Sequence, residues 1–180
     1  PARHGSWRPV GFGSEGNMGR PIALTVDLEP DWGVRGTRAI REVSQRFLRF
    51  LEDRCIQATF FVVSDLMDVA TDLVAALAEG NEVASHGSTH RVLDGLEPAE
   101  VQRELRESRQ RLEQVGTRVE GFRAPFFRRC KGFFRYLQAA GYRYDASMGS
   151  LRPGTVNRRL GSLPCPFRMS STYEFPTSAM

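Results

Sequence analysis

Cysteine is scarce in this 180-residue chain, and what there is forms no pattern: Cys55, Cys130 and Cys165 lie far apart and no CxxC pair occurs. Neither a disulfide framework nor a thiolate zinc site is expected. The same usage fits a reducing compartment, so a cytoplasmic setting is expected ahead of a periplasmic or cell-envelope one. The first residue is Pro1 rather than Met, and a preceding segment or cleaved signal peptide is compatible with that start. No apolar run approaches the roughly 18 residues of a membrane-spanning helix. Lysine is almost missing: Lys131 stands alone, and the net charge of +4 comes from scattered arginines. Without a basic tract, nucleic acid is not the expected partner, and a sugar-rich or acidic polymer suits this surface as well. Internal repeats and low-complexity segments are absent. Hydrophobic content of 41% and charged content of 26% are those of an ordinary globular chain, and the length suggests one domain with a sizeable core.

Residues 1–20 are rich in Gly and Pro and read as an irregular arm. Within it, Gly11-Phe12-Gly13-Ser14-Glu15-Gly16 matches the letters of a dinucleotide fingerprint. That motif works only between a strand and a helix; here it precedes the first strand, so no dinucleotide is expected. From Pro21 the pattern becomes regular. Pro21 to Leu28 reads as a strand, and Thr37 to Arg54 as a helix through Ile40, Val43, Phe47, Leu48 and Leu51. Ala58 to Val63 is a continuous buried-type strand, and Leu66 to Glu79 a helix stopped by Gly80-Asn81. Glu82 to Ser85 is a third strand. Pro98 to Gln114 is an amphipathic helix, with Val101, Leu105 and Leu112 on its apolar side. Gly121 to Pro125 is a short strand and turn, Lys131 to Ala140 a helix, Tyr142 to Ala146 a strand, and Tyr173 to Phe175 a last strand in a Pro- and Gly-rich tail. Alternating strands and helices imply an α/β protein with a parallel sheet. In such folds the loops at the carboxyl ends of strands build the site.

Only three histidines are present, and two of them, His86 and His90, follow the third strand four positions apart. Neutral imidazole is the commonest protein ligand for a transition metal, and two His plus a carboxylate with an open position make a catalytic zinc-type site. The loop after the first strand offers carboxylates at Asp27, Glu29 and Asp31. Residues i and i+2 of an extended segment share a face, so Asp27 and Glu29 can enter one cavity; Asp31 is a rival because Pro30 bends the strand's end. Read alone, the His pair suits a polar loop, and the acidic residues suit a solvated turn. Arg123, between Phe122 and Pro125, is expected to be partly buried and paired, with Asp145 a candidate partner.

Three separated segments carry a resemblance. Thr25-Val26-Asp27-Leu28-Glu29, His86-Gly87-Ser88-Thr89-His90 and Gly121-Phe122-Arg123-Ala124-Pro125-Phe126 resemble, in order, the acidic, H-[ST]-x-x-H and R-x-P-aromatic motifs of the polysaccharide deacetylases, carbohydrate esterase family four with its NodB-homology domain. The second motif carries Gly where the family has Ser or Thr. Glu174-Phe175-Pro176 is similar to a later segment of the exopolysaccharide and peptidoglycan branch. The resemblance implies a distorted (β/α) barrel of parallel strands. Residues 21–180 would form the catalytic domain, with about six strands, two short of a standard barrel.

By the same resemblance, Glu29, His86 and His90 are ligands of a divalent metal, most simply zinc. Asp27 is the general base, Arg123 holds Asp27, and Phe126 supplies a backbone N–H to an oxyanion, a role any side chain permits. Phe127 and Trp32 are candidates for a sugar-stacking wall. The implied activity is removal of N-acetyl groups from N-acetylhexosamine units of a polysaccharide or oligosaccharide; an ester substrate fits the same residues. Retention of His86, His90 and Glu29 argues against relatives that act on small cyclic amides. The family's general acid is a late histidine, and no histidine follows His90. The expectation is that the C-terminal part of the domain is absent from this sequence; otherwise the chain is a catalytically impaired glycan-binding module.

Overall fold

The computed structural model describes residues 22–30, 37–148, 166–169 and 171–177. The arm at 1–20 with its Gly-rich motif, Asp31, Trp32 and Cys165 lie outside the described residues. Among the described residues seven strands form one sheet: β1 (Thr25–Leu28), β2 (Thr59–Val62), β3 (Glu82–Ser85), β4 (Gly121–Phe122), β5 (Tyr144–Asp145), β6 (Phe167–Met169) and β7 (Thr172–Glu174). Their order is β1-β2-β3-β4-β5-β7-β6. All neighbours are parallel except β6, which pairs antiparallel with β7. The sheet is open, with β1 and β6 as its edges among the described residues, which agrees with an incomplete barrel. The expected count of about six strands missed β6. Its three residues follow Pro166 and are half-buried to exposed, so they carry no apolar alternation to read.

Helices α1 (Arg38–Asp53), α2 (Met67–Ala78), α3 (Pro98–Leu112) and α4 (Phe133–Ala140) fall where periodicity put them. α3 begins with Pro98 at its first turn, and Glu100 accepts from the Glu97 N–H at 3.1 Å; this pairing satisfies a donor the helix itself leaves open. α4 stops at Gly141, whose φ of +83° costs a residue without Cβ little. The main core lies between the sheet and the helices. Leu66, Val74 and Leu77 meet Phe60, Val62 and Val83 there, with Leu105, Leu112, Phe122 and Leu137. Each such side chain contributes about 1.5–3 kcal/mol by leaving water. The opposite face of the sheet carries a small second cluster of Phe61, Ala84 and Ala146 under Tyr144.

One row of the sheet explains how the site assembles. Leu28, Val62, Ser85, Phe122, Asp145 and Glu174 are paired in register straight across the sheet. The next residue on each strand is therefore Glu29, Val63, His86, Arg123, Ala146 or Phe175. Because strand side chains alternate, Glu29, His86 and Arg123 emerge on one face at the carboxyl edge, with Asp27 two residues back.

Gly121 makes room for Tyr144 on that face. A Cβ at Gly121 would lie 2.0 Å from the Tyr144 Cζ, and the ring is pinned because its hydroxyl donates to Glu82 at 2.8 Å. Gly121→Ala is expected to destabilise the protein by roughly 1–3 kcal/mol through overpacking, read as a lower urea midpoint at unchanged slope. An unchanged midpoint would show that Tyr144 swings away freely.

Candidate metal centre and active site

The loop after β3 carries the two histidines in a constrained path. Gly87 has φ +88° and His90 φ +59°; the first suits glycine, and the second is a left-handed turn that a non-glycine residue adopts only when its surroundings fix it. His86 is buried, at 3% exposure. Its Nδ1 lies 2.8 Å from the Arg123 carbonyl oxygen. A carbonyl only accepts, so Nδ1 carries the proton and Nε2 presents its lone pair to the cavity. Burial, first, pushes the His86 pKa below its ordinary value, against the opposing pull of Asp27; the neutral ligand form is favoured.

His90 Nε2 meets Glu29 Oε2 at 2.6 Å, and His86 Nε2 lies 4.0 Å from Asp27 Oδ2. One ligating atom each from Glu29, His86 and His90 fall within 4.8 Å of one another. Two imidazoles and a carboxylate converging on one point fit a divalent metal of the catalytic-zinc class, and the fixed His86 tautomer removes a proton that would otherwise compete with it.

Arg123 is 3% exposed and makes four hydrogen bonds through its guanidinium. Nη1 donates to Asp27 Oδ1 at 2.5 Å, Nη2 to Thr25 Oγ1 at 3.0 Å and Thr177 Oγ1 at 3.4 Å, and Nε to the Ala146 carbonyl at 3.1 Å. Its guanidinium also stacks 4.0 Å from the Phe61 ring centre. Asp27 is thus held through Oδ1, and Oδ2 is the oxygen on the His86 side.

The expected pairing of Arg123 with Asp145 does not form. Asp145 sits one residue before Ala146 on β5, so alternation turns its side chain to the opposite face. There its carboxylate accepts from Ser147 Oγ and neighbours Glu174, which sits opposite it on β7. Phe126, after Pro125, has φ +55°, and its ring centre lies 4.9 Å from that of His90. Phe127 is half-buried and lies 5.5 Å from the Arg123 guanidinium, so it packs on the arginine. Glu104, Ser108 and Ser147 were given no role in the sequence reading, and Thr25 and Glu174 entered it only as members of family-like segments. For Glu104 and Ser108 a signal existed: they fall within the Val101–Leu105–Leu112 stripe of α3.

A parallel α/β sheet carries a His-His-carboxylate cluster and an arginine-held aspartate at its strand ends, a candidate metal site. A family model for polysaccharide deacetylases matches residues 15–144, and the chain belongs to that family. No curated protein matches the sequence. Among solved structures, one from Mycobacterium smegmatis named for this family has 22% identity and a TM-score of 0.73 over 87% of this chain and 58% of its own. A family 4 carbohydrate esterase from Streptomyces lividans, in complex with acetate, has 22% identity and a TM-score of 0.59 over 72% and 64%. A family 4 pseudoenzyme from Bacillus anthracis has 18% identity and a TM-score of 0.60 over 71% and 43%. These likenesses establish the fold. The chain spans 43% to 64% of the length of these structures. No helix among the described residues is long and apolar enough to cross a membrane.

Proposed function

We propose that the protein is a metal-dependent hydrolase that removes N-acetyl groups from N-acetylhexosamine units of a polysaccharide. The observation that carries this reading is the convergence of Glu29, His86 and His90 beside an Asp27 already fixed by Arg123. Glu29, His86 and His90 hold the metal, and zinc suits this donor set best. When bound, such an ion supplies Lewis acidity and brings the pKa of water to about 7.

The chain's own residues do the rest. Arg123 occupies Oδ1 of Asp27, so Oδ2 is the atom that takes the proton of the attacking water. The backbone N–H of Phe126, on its left-handed turn, is the donor for the oxyanion, while its ring borders His90 and limits water access. The substrate is a neutral or weakly charged glycan, in keeping with aromatic Phe126 and Phe175 exposed at this edge.

The test is acetate release from acetylated chitooligosaccharides or acetylated exopolysaccharide, with and without added zinc or cobalt, for the wild type and His86→Ala. Metal-stimulated release by the wild type, lost in the variant, is expected. Absence of both metal binding and turnover would sink the reading.

A second reading is a catalytically impaired glycan-binding module. It is supported by the fold likeness to a family 4 pseudoenzyme. Calorimetric binding of oligosaccharide without acetate release would decide for it.

A further inference from the structure

The loop that bears the two histidines is fastened from below by one side chain. Glu104 lies on α3 in a position the apolar stripe would assign to a hydrophobe, and it is 6% exposed. Its Oε2 accepts the Ser88 N–H at 2.9 Å and the Thr89 N–H at 3.0 Å, and its Oε1 accepts the Thr89 hydroxyl at 2.6 Å. One turn further along α3, Ser108 Oγ donates to the Gly87 carbonyl at 3.0 Å and contacts Ser85 Oγ at 2.5 Å. The 3₁₀ turn Ser64–Leu66 holds the loop's other side: the Ser64 and Asp65 N–H groups donate to the Gly87 and Ser88 carbonyls, each at 3.0 Å. All of these bonds except the Ser85–Ser108 contact fall between His86 and His90, and none involves a ring nitrogen.

A buried carboxylate costs several kcal/mol to desolvate; three donors aimed at it offset that cost only in this one loop conformation. Thr89 and Ser88 are the residues whose backbone must curl for His90 to reach its left-handed φ of +59° and face Glu29. An apolar residue at position 104 would leave two N–H groups of a mostly buried loop without acceptors. The loop would then relax toward water and carry His90 away from His86 and Glu29.

We infer that Glu104 is a positioning residue for the metal centre: its carboxylate presets the spacing of His86 and His90 before the ion arrives. The inference deepens the proposed function and rests on its metal-centre reading. Metal affinity, rather than fold stability alone, is therefore the quantity it controls.

The experiment measures zinc and cobalt dissociation constants by competition with a chromophoric chelator, together with the melting temperature of the metal-free protein. The proteins are the wild type and the E104A, E104Q, T89V, E107A and H86A variants. Glu107 lies on the exposed side of the same helix and serves as a control. E104A is expected to weaken metal binding about ten- to a hundred-fold, the range found for partners that orient metal-binding side chains. E104Q keeps an acceptor for the two N–H groups and a donor for the Thr89 hydroxyl, and is expected to stay within about three-fold of wild type by the same scale. T89V removes one bond, keeps the fold if E104A does not, and is expected to fall between them. E107A should match the wild type.

A purely structural role predicts a lower melting temperature for E104A with an unchanged dissociation constant, and that result would overturn the inference. If E104A does not fold, T89V binding metal as tightly as wild type would overturn it too. A wild type that binds no metal, like H86A, would overturn the metal centre itself and this inference with it; a wild type that binds while E104A binds equally well overturns this inference alone.

Discussion

Asp27→Asn is expected to lower acetate release about a hundred- to ten-thousand-fold, the scale of one general base, while leaving the metal dissociation constant within a few-fold. The separation of the two effects follows from geometry. Asp27 Oδ2 lies 4.0 Å from His86 Nε2, beside the cluster rather than within it, and the three proposed ligands are complete without Asp27. Asparagine keeps the volume and, through its carbonyl oxygen, the acceptor for Arg123 Nη1. It offers no basic oxygen to the water. Arg123→Lys provides the graded counterpart. One ammonium cannot replace donors that reach Asp27, Thr25, Thr177 and the Ala146 carbonyl at once, so turnover should fall with the metal constant again little changed. Acetate release at fixed saturating metal, with affinity measured separately, checks both. If Asp27→Asn loses metal binding in step with activity, Asp27 is a ligand and the assignment of the base is wrong.

Glu174→Gln is expected to stabilise the protein at neutral and alkaline pH, by an amount that grows as pH rises. Glu174 is fully buried and lies beside Asp145 in register across β5 and β7. Burial, then the Asp145 charge, push its pKa up to about 9, while Arg129 and the Met148 N–H pull the other way. Asp145 is shifted up as well, chiefly by burial. The folded protein thus retains a proton on Glu174 that the unfolded chain releases above its ordinary value of 4.5.

The contribution of such a group is fully present below pH 4.5 and is lost as pH rises toward 9, at up to about 1.4 kcal/mol per pH unit. Glutamine holds the same shape, accepts from the Met148 N–H as Glu174 Oε1 does at 3.0 Å, and donates to Asp145 without a proton to lose. Its melting temperature should match that of the wild type near pH 4.5 and exceed it by several degrees at pH 8, since about 1 kcal/mol corresponds to about 2–4 °C in a domain of this size. Melting curves of both proteins from pH 4.5 to 9 check this. Parallel curves across that window would show that Glu174 releases its proton normally.

Much of the site was legible because it is local. Asp27 and Glu29 share a strand end, His86 and His90 share a loop, and the alternation of strands with helices announces that such loops meet at one edge of a parallel sheet. The family motifs are runs of five or six residues, and a run of that length carries its own signal. The pairing of Arg123 with Asp27 followed from the family resemblance and was not legible in the residues alone. Its nearest acidic residue on the neighbouring strand is Asp145, but register and alternation put Ala146, not Asp145, on its face, and Asp27, 96 positions away, supplies the carboxylate. β6 was invisible because a short, exposed strand has no apolar pattern.

What the sequence determined by itself is therefore the α/β architecture and the chemical inventory of the site: the two imidazoles, the carboxylates and the arginine. Tertiary structure decided which oxygen of Asp27 is held and which is left for chemistry, that Glu104 braces the histidine loop, and that Asp145 and Glu174 share a buried space away from the site. The physical reason is that a side chain's type is written in one position, whereas its charge state, tautomer and partner depend on what strand register and burial bring within about 3 Å of it.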